Sequence, residues 1–177
     1  MAKSTKLGYE VTTDFKELDA LWKRLQDLNQ KEIEYGFINE EKYPAGDSRQ
    51  GMYVASVAWM QETGFAAPRG FSPPRPFFTQ SIPDAASYIK GVAPHIFKLS
   101  FLGKVEKEML RVGAGLVQTV KTSIDDAQFP LNSELTLDMK SPETRVLRET
   151  SLMYDSITAR IVNRDAYGKR KKEVDIK

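Results

Sequence analysis

The sequence has no cysteine, which excludes disulfides and thiolate metal sites. It has one histidine, His95, and no cluster of His, Asp and Glu at ligand spacing accompanies it, so a metal or acid–base centre is not expected. Net charge is nearly absent, at +2 over 177 residues. Nothing global therefore argues for nucleic acid or membrane as a partner. No apolar run is long enough to span a bilayer. Met1-Ala2-Lys3-Ser4-Thr5-Lys6 has no apolar segment behind it and is not expected to act as a signal peptide. What remains is an ordinary globular composition, 41% apolar and 28% charged. The length suits one domain, with a core over about residues 12–165 and a basic tail over 169–177.

Local patterns predict a mixed α+β fold. A short strand is expected at Tyr9-Glu10-Val11. Asp14 and Glu17 have the spacing of a capping box. Phe15, Leu18, Leu21, Trp22, Leu25 and Leu28 then recur at helical intervals. Ile33, Tyr35 and Phe37 alternate with Glu32, Glu34 and Gly36, the pattern of a half-buried strand. After a turn at Tyr43-Pro44-Ala45-Gly46-Asp47, Ser48 is placed to cap a helix over about 50–62. Met52, Ala55, Trp59 and Glu62 share one line of it, and Gly64 stands at its left-handed cap. Its small alanines would let it pack closely on a sheet.

Four of the nine prolines fall between Pro68 and Pro76, so an extended loop is expected there. Pro83 suits the first turn of the next helix. The helical pattern continues to Asp126, with Pro94 expected to break it near Lys90-Gly91. A short helix and then a long kinked one from about His95 to Asp125 follow from that. Short helical turns are expected within 129–136 and 147–154. Ser156 to Val162 reads as a strand. The tail Lys169-Arg170-Lys171-Lys172 can pair as a last strand through Val174 and Ile176. The sheet should be small and mainly antiparallel, with the long helix and the Trp59 helix covering one face.

Several segments, taken in order, resemble the tail-completion and neck proteins of tailed bacteriophages. They are the strand Ile33-Glu34-Tyr35-Gly36-Phe37, the helix end Gln61-Glu62-Thr63-Gly64, and the loop Pro73-Pro74-Arg75-Pro76-Phe77-Phe78. Later come Phe129-Pro130-Leu131-Asn132-Ser133-Glu134-Leu135-Thr136, and Leu147-Arg148-Glu149-Thr150-Ser151-Leu152 running on to Ser156-Ile157-Thr158. The match in order and rough spacing covers residues 15–165. Ser151 stands where the family pattern prefers glycine, and Met153-Tyr154-Asp155 fills a slot that is usually shorter. The resemblance implies a structural virion protein and no enzyme, with no cofactor. It would complete the neck or upper tail as a homo-oligomeric ring, of six copies in preference to twelve. Its neighbours would be other neck, connector or tail proteins. Its place would be the virion, and the host cytoplasm during assembly.

The proline loop is the candidate interface: Phe71, Pro74, Arg75, Pro76, Phe77 and Phe78. Prolines reduce the entropy lost on ordering, and arginine with aromatics is typical of interface hot spots. One ring can face inward while Arg75 faces out, and the phenylalanines can equally pin the loop to its own core. A ligand for a proline-recognition domain is a third reading, disfavoured because the motif lies inside the fold. If Arg75 or Phe77 docks a neighbour, truncating either should spare helix content and stop particle joining.

Asp125-Asp126 and Glu40-Glu41 are adjacent acids, which share no helix face, and read as solvated surface. Lys104, Lys107 and Arg111 read as a solvated basic stripe. Gly113-Ala114-Gly115 lacks the lysine of a phosphate loop and instead allows close helix packing or a bend. The basic tail can meet DNA in a channel or end as a plain soluble terminus. A DNA-binding accessory protein is therefore the alternative to the assembly reading.

Overall fold

A computed structural model describes residues 3–6, 9–12, 15–67, 70–126, 129, 151–164 and 170–175. It is an α+β structure. β1 (Lys3–Lys6) and β2 (Tyr9–Thr12) pair antiparallel. Helix α1 (Lys16–Asn29) leads into β3 (Lys31–Gly36). A long loop then reaches α2 (Val54–Thr63). The short antiparallel pair β4 (Phe65–Ala67) and β5 (Gly70–Ser72) follows. Next come two long helices, α3 (Phe77–Phe101) and α4 (Val105–Asp126). The single turn α5 (Leu152–Asp155) precedes β6 (Thr158–Arg164) and β7 (Arg170–Asp175).

The main sheet has the order β3-β6-β7, antiparallel throughout. Alternation places Ile33 opposite Ile161 and Tyr35 opposite Ala159, and these four side chains share a face because successive residues point to opposite sides. α4 lies across that face: Val105 and Met109 pack with Ile161, and Val112 and Leu116 with Ile33 and Tyr35. On the other face Arg160 donates twice to Glu34, at 3.0 Å, and Arg164 pairs with Glu32. The basic tail does not hang free. Arg170 to Asp175 completes the sheet against β6, as alternation allowed, and Ile176 lies outside the described residues.

α3 packs along α4, and their contact explains the Gly113-Ala114-Gly115 segment. Gly113 is buried. A Cβ on Gly115 would sit 2.3 Å from the Tyr88 ring of α3, so this glycine permits the close approach.

Five expectations about the helices need correction. Pro83 lies seven residues inside α3, which begins at Phe77, and Pro94 also lies inside it without breaking it. Both prolines are exposed, so the carbonyls that lose their N–H partners face water, and the usual penalty is moderated. The break falls instead at Leu102–Lys104, where Gly103 takes φ +67°.

α2 begins at Val54, not near residue 50, and Ser48 does not cap it. Asp47 takes the Arg49 N–H and guanidinium, which folds residues 47–51 into turns, and the Arg49 hydrogen bond holds the Asp47 carboxyl below the usual carboxylate range. α2 buries Val54, Val57 and Ala58 against Phe77, Met153 and Ile157, not against the sheet. Trp59 and Met52 point outward.

The apolar face read on α1 exists, but none of its residues is buried. Leu28 packs beside Met109 and Ile161, while Phe15, Leu18 and Trp22 remain open. Asp14 lies outside the described residues, and α1 starts without a side-chain cap.

Gly115→Ala should lower unfolding free energy by about 1–3 kcal/mol, the cost of overpacking a tight contact. Urea denaturation of the variant measures it. An unchanged midpoint would mean that the α3–α4 contact is looser than described.

Candidate assembly surface

The segment Gln61 to Phe78 forms one polar joint between α2 and α3. Pro76 occupies the N-cap position of α3 and offers no side-chain hydrogen bond there. The open N–H groups of the first turn are satisfied from another element. The Glu62 carboxylate accepts the backbone N–H groups of Phe78 and Thr79, both at 2.9 Å. A carboxylate at a helix N-terminus also meets the positive end of the helix dipole.

One residue before Glu62, Gln61 receives Arg75 twice. Its backbone carbonyl accepts the Arg75 N–H at 2.8 Å, and its side-chain oxygen accepts the Arg75 guanidinium. Gly64, at φ +74°, turns the chain between them. A Cβ there would meet the backbone of Ser72 and Pro74 at 2.9 Å. The left-handed cap expected at Gly64 does not form: φ is positive but ψ is extended, at 159°.

The joint separates the six candidate residues into two groups. Arg75 is only 4% exposed and Phe77 1%. The expectation that Arg75 faces a neighbour is therefore corrected: its guanidinium is drawn inward by Gln61, and burial lowers its pKa by desolvation. Phe77 lies in the core beside Val54, Val57 and Val120, with its ring edge-on to Phe37. Phe78 is half-buried and stacks on Tyr35 with ring centroids 5.6 Å apart. Burial raises the Tyr35 pKa. Gly36, at φ +128°, gives Phe78 room, since a Cβ would lie 3.3 Å from its ring. Pro76 is half-buried. Phe71, 67% exposed, and Pro74 form the open rim of the loop.

The later segments of the resemblance close on the same core. Met153 and Ile157 are buried against Val54, Val57, Phe77 and Ile124, and Phe129 packs beside them. Residues 130–136 and 147–150 lie outside the described residues. Ser151, which stands where the pattern prefers glycine, has φ +54°. Glycine would hold this left-handed backbone with less strain than serine does. Ser156 Oγ donates to Glu41 and to the Leu152 carbonyl. Tyr154 donates to Asp125 at 3.0 Å, so Asp125 and Glu41 are structural acceptors and not merely solvated acids.

Sequence reasoning missed the largest open apolar groups. Trp59 is 68% exposed. Ile82, Ile89, Phe97 and Phe101 are exposed along α3, as are Phe15, Leu18 and Trp22 on α1. Helical periodicity signalled these faces without showing whether anything covers them. Lys104, Lys107 and Arg111 border an open groove with a floor at Leu99 and Leu110. His95 is mid-helix, 3.9 Å from Glu108. Among the described residues no group of His, Asp and Glu could hold a metal ion, and no helix is long and apolar enough to cross a membrane. Comparison with protein-family models, curated proteins and solved structures finds no match.

Phe77→Ala should destabilise the fold by about 3–5 kcal/mol through a core cavity, and Arg75→Ala by about 1–3 kcal/mol by stripping a partner from Gln61. Phe71→Ala should stay within about 0.5 kcal/mol of wild type, as exposed sites do. Urea titrations rank the three, and an inert Phe77→Ala would refute the core placement. Ser151→Gly should raise stability by roughly 0.5–1 kcal/mol by relieving a left-handed backbone. A lower melting temperature for that variant would contradict the backbone assignment.

Proposed function

We propose that this chain is a structural assembly protein of a tailed bacteriophage. It completes the neck or upper tail as a ring so that head and tail can join. The observation that carries the reading is the Gln61–Phe78 joint. The described parts of segments far apart in the chain share one core cluster, which holds Phe77, Val57 and Ile157. A resemblance of scattered motifs gains weight when those motifs are physically one unit.

The work assigned to the protein is binding, with no reaction. Closed rings use heterologous interfaces, in which two different patches meet. The exposed aromatics Phe71 and Trp59 flank the joint on the α2 side, and Leu18 and Trp22 lie on α1 with Phe15 at its N-cap. These supply two apolar patches on different elements. Interfaces draw most of their energy from such anchors. Arg75 and Phe77 hold the loop from inside, and Phe71 with Pro74 presents it.

Electron microscopy of lysates from a phage with a stop codon in this gene tests the reading. Filled heads beside separate, unjoined tails are expected, with joining restored by the wild-type chain supplied in trans. Phe71→Ala supplied the same way, folded and stable, should restore joining less well. Normal infectious particles from the stop-codon phage would overturn the proposal and bring forward the DNA-binding alternative through the basic tail.

A further inference from the structure

Helix α1 begins in the open. Every residue from Phe15 to Ala20 is exposed, and the helix starts without a side-chain cap. Its hold on the body lies farther along, where Arg24 donates to the Phe101 carbonyl at 2.6 Å and Leu28 packs beside Met109 and Ile161. Two helical turns standing clear of a core have little stability of their own. This end carries Phe15, Leu18 and Trp22, which are 51%, 59% and 62% exposed. Their steps of three and four residues are those by which a helix enters a groove. Leu18 has Glu17 on one side and Asp19 on the other, each about 100° away around the helix.

The same chain carries a groove on α4 whose lining suits that ridge. Leu99 and Leu110 supply apolar surface, and Lys104, Lys107 and Arg111 supply cations. Two acids line it as well, but Glu108 is engaged by Arg111 at 3.2 Å. Lys104 and Lys107 then outnumber Glu106, and all three are exposed.

We propose that the projecting end of α1 docks into this groove on a second copy of the chain. Leu18 and Trp22 cover Leu99 and Leu110, and Glu17 and Asp19 reach Lys104 and Lys107. Charge selects this occupant, because an apolar ridge flanked by acids meets an apolar floor bordered by a surplus of bases. The ridge does not fill the groove of its own copy, since its three anchors are open. At on the order of 200 Å² per large side chain, those anchors offer roughly 350 Å². With a similar area lost from the groove, the contact is of the small size found in transient complexes. Ridge and groove are different surfaces, so the contact is heterologous and repeats around a ring. Closure then holds every copy on both sides and reinforces a weak contact. The docking rests on the ring reading and deepens it, and it leaves Phe71 and Pro74 to a neighbour of another kind.

Sedimentation of the full chain up to high concentration tests the docking. Self-association is expected. Glu17→Lys with Asp19→Lys should weaken it by about tenfold or more, and so should Lys104→Glu with Lys107→Glu. Helix content should be unchanged, because all four residues are exposed. Mixed together, the two variant chains should regain the association, since each ridge then meets a groove of opposite charge. A wild type that stays monomeric, charge reversals without effect, or variants that fail to rescue each other would each overturn the docking. The stop-codon phage separates this from the broader reading: unjoined heads and tails, beside a chain that fails these tests, would remove the docking and leave the assembly role standing.

Discussion

The reach of Glu62 across to α3 is the contact on which the rest of the structure depends. α3 starts at a proline-rich turn that cannot cap itself, since Pro76 has no polar side chain. A helix end left open in a half-buried place would strand several N–H groups, each costly without a partner. The carboxylate of Glu62 accepts two of them and fixes where α3 begins. α3 then sets the position of α4 through the Tyr88–Gly115 approach. α4 in turn covers the β3–β6 sheet. One side chain at the end of a ten-residue helix therefore orders the layers beyond it.

Arg75 belongs to the same logic. Beside prolines and aromatics, an arginine reads as an exposed anchor, and composition cannot say which way it points. The deciding partner is Gln61, which offers both a backbone and a side-chain oxygen at the place where the guanidinium enters. The loop is consequently held from within, and of the six candidate residues Phe71 and Pro74 stay exposed.

The strands were the most legible part of the chain. Alternation over Ile33–Phe37 and Ile157–Ile161 marks one face, and the structure pairs Ile33 with Ile161 accordingly, while Val162 on the opposite face is buried as well. The positive φ at Ser151 had no signal in the residue itself. The helices were harder to place because proline is a local signal whose effect depends on surroundings. Pro94 on an exposed face is tolerated, whereas Gly103 takes a positive φ just past the end of α3. Periodicity on α1 gave the correct face and no information about what it meets. The part of the candidate site that faces solvent depended on that missing information.

The central strand β6 has a temporal consequence. Glu34 and the Arg160 that pairs with it are 126 residues apart, and Ile157 and Ile161 complete two of the core clusters. Topology dominated by such distant pairings folds slowly. During synthesis, β3 and the apolar face of α4 emerge well before the strand that joins them. Until Thr158–Arg164 has left the ribosome, the chain holds an unpaired strand edge and an uncovered helix, the features that make nascent chains prone to misassembly.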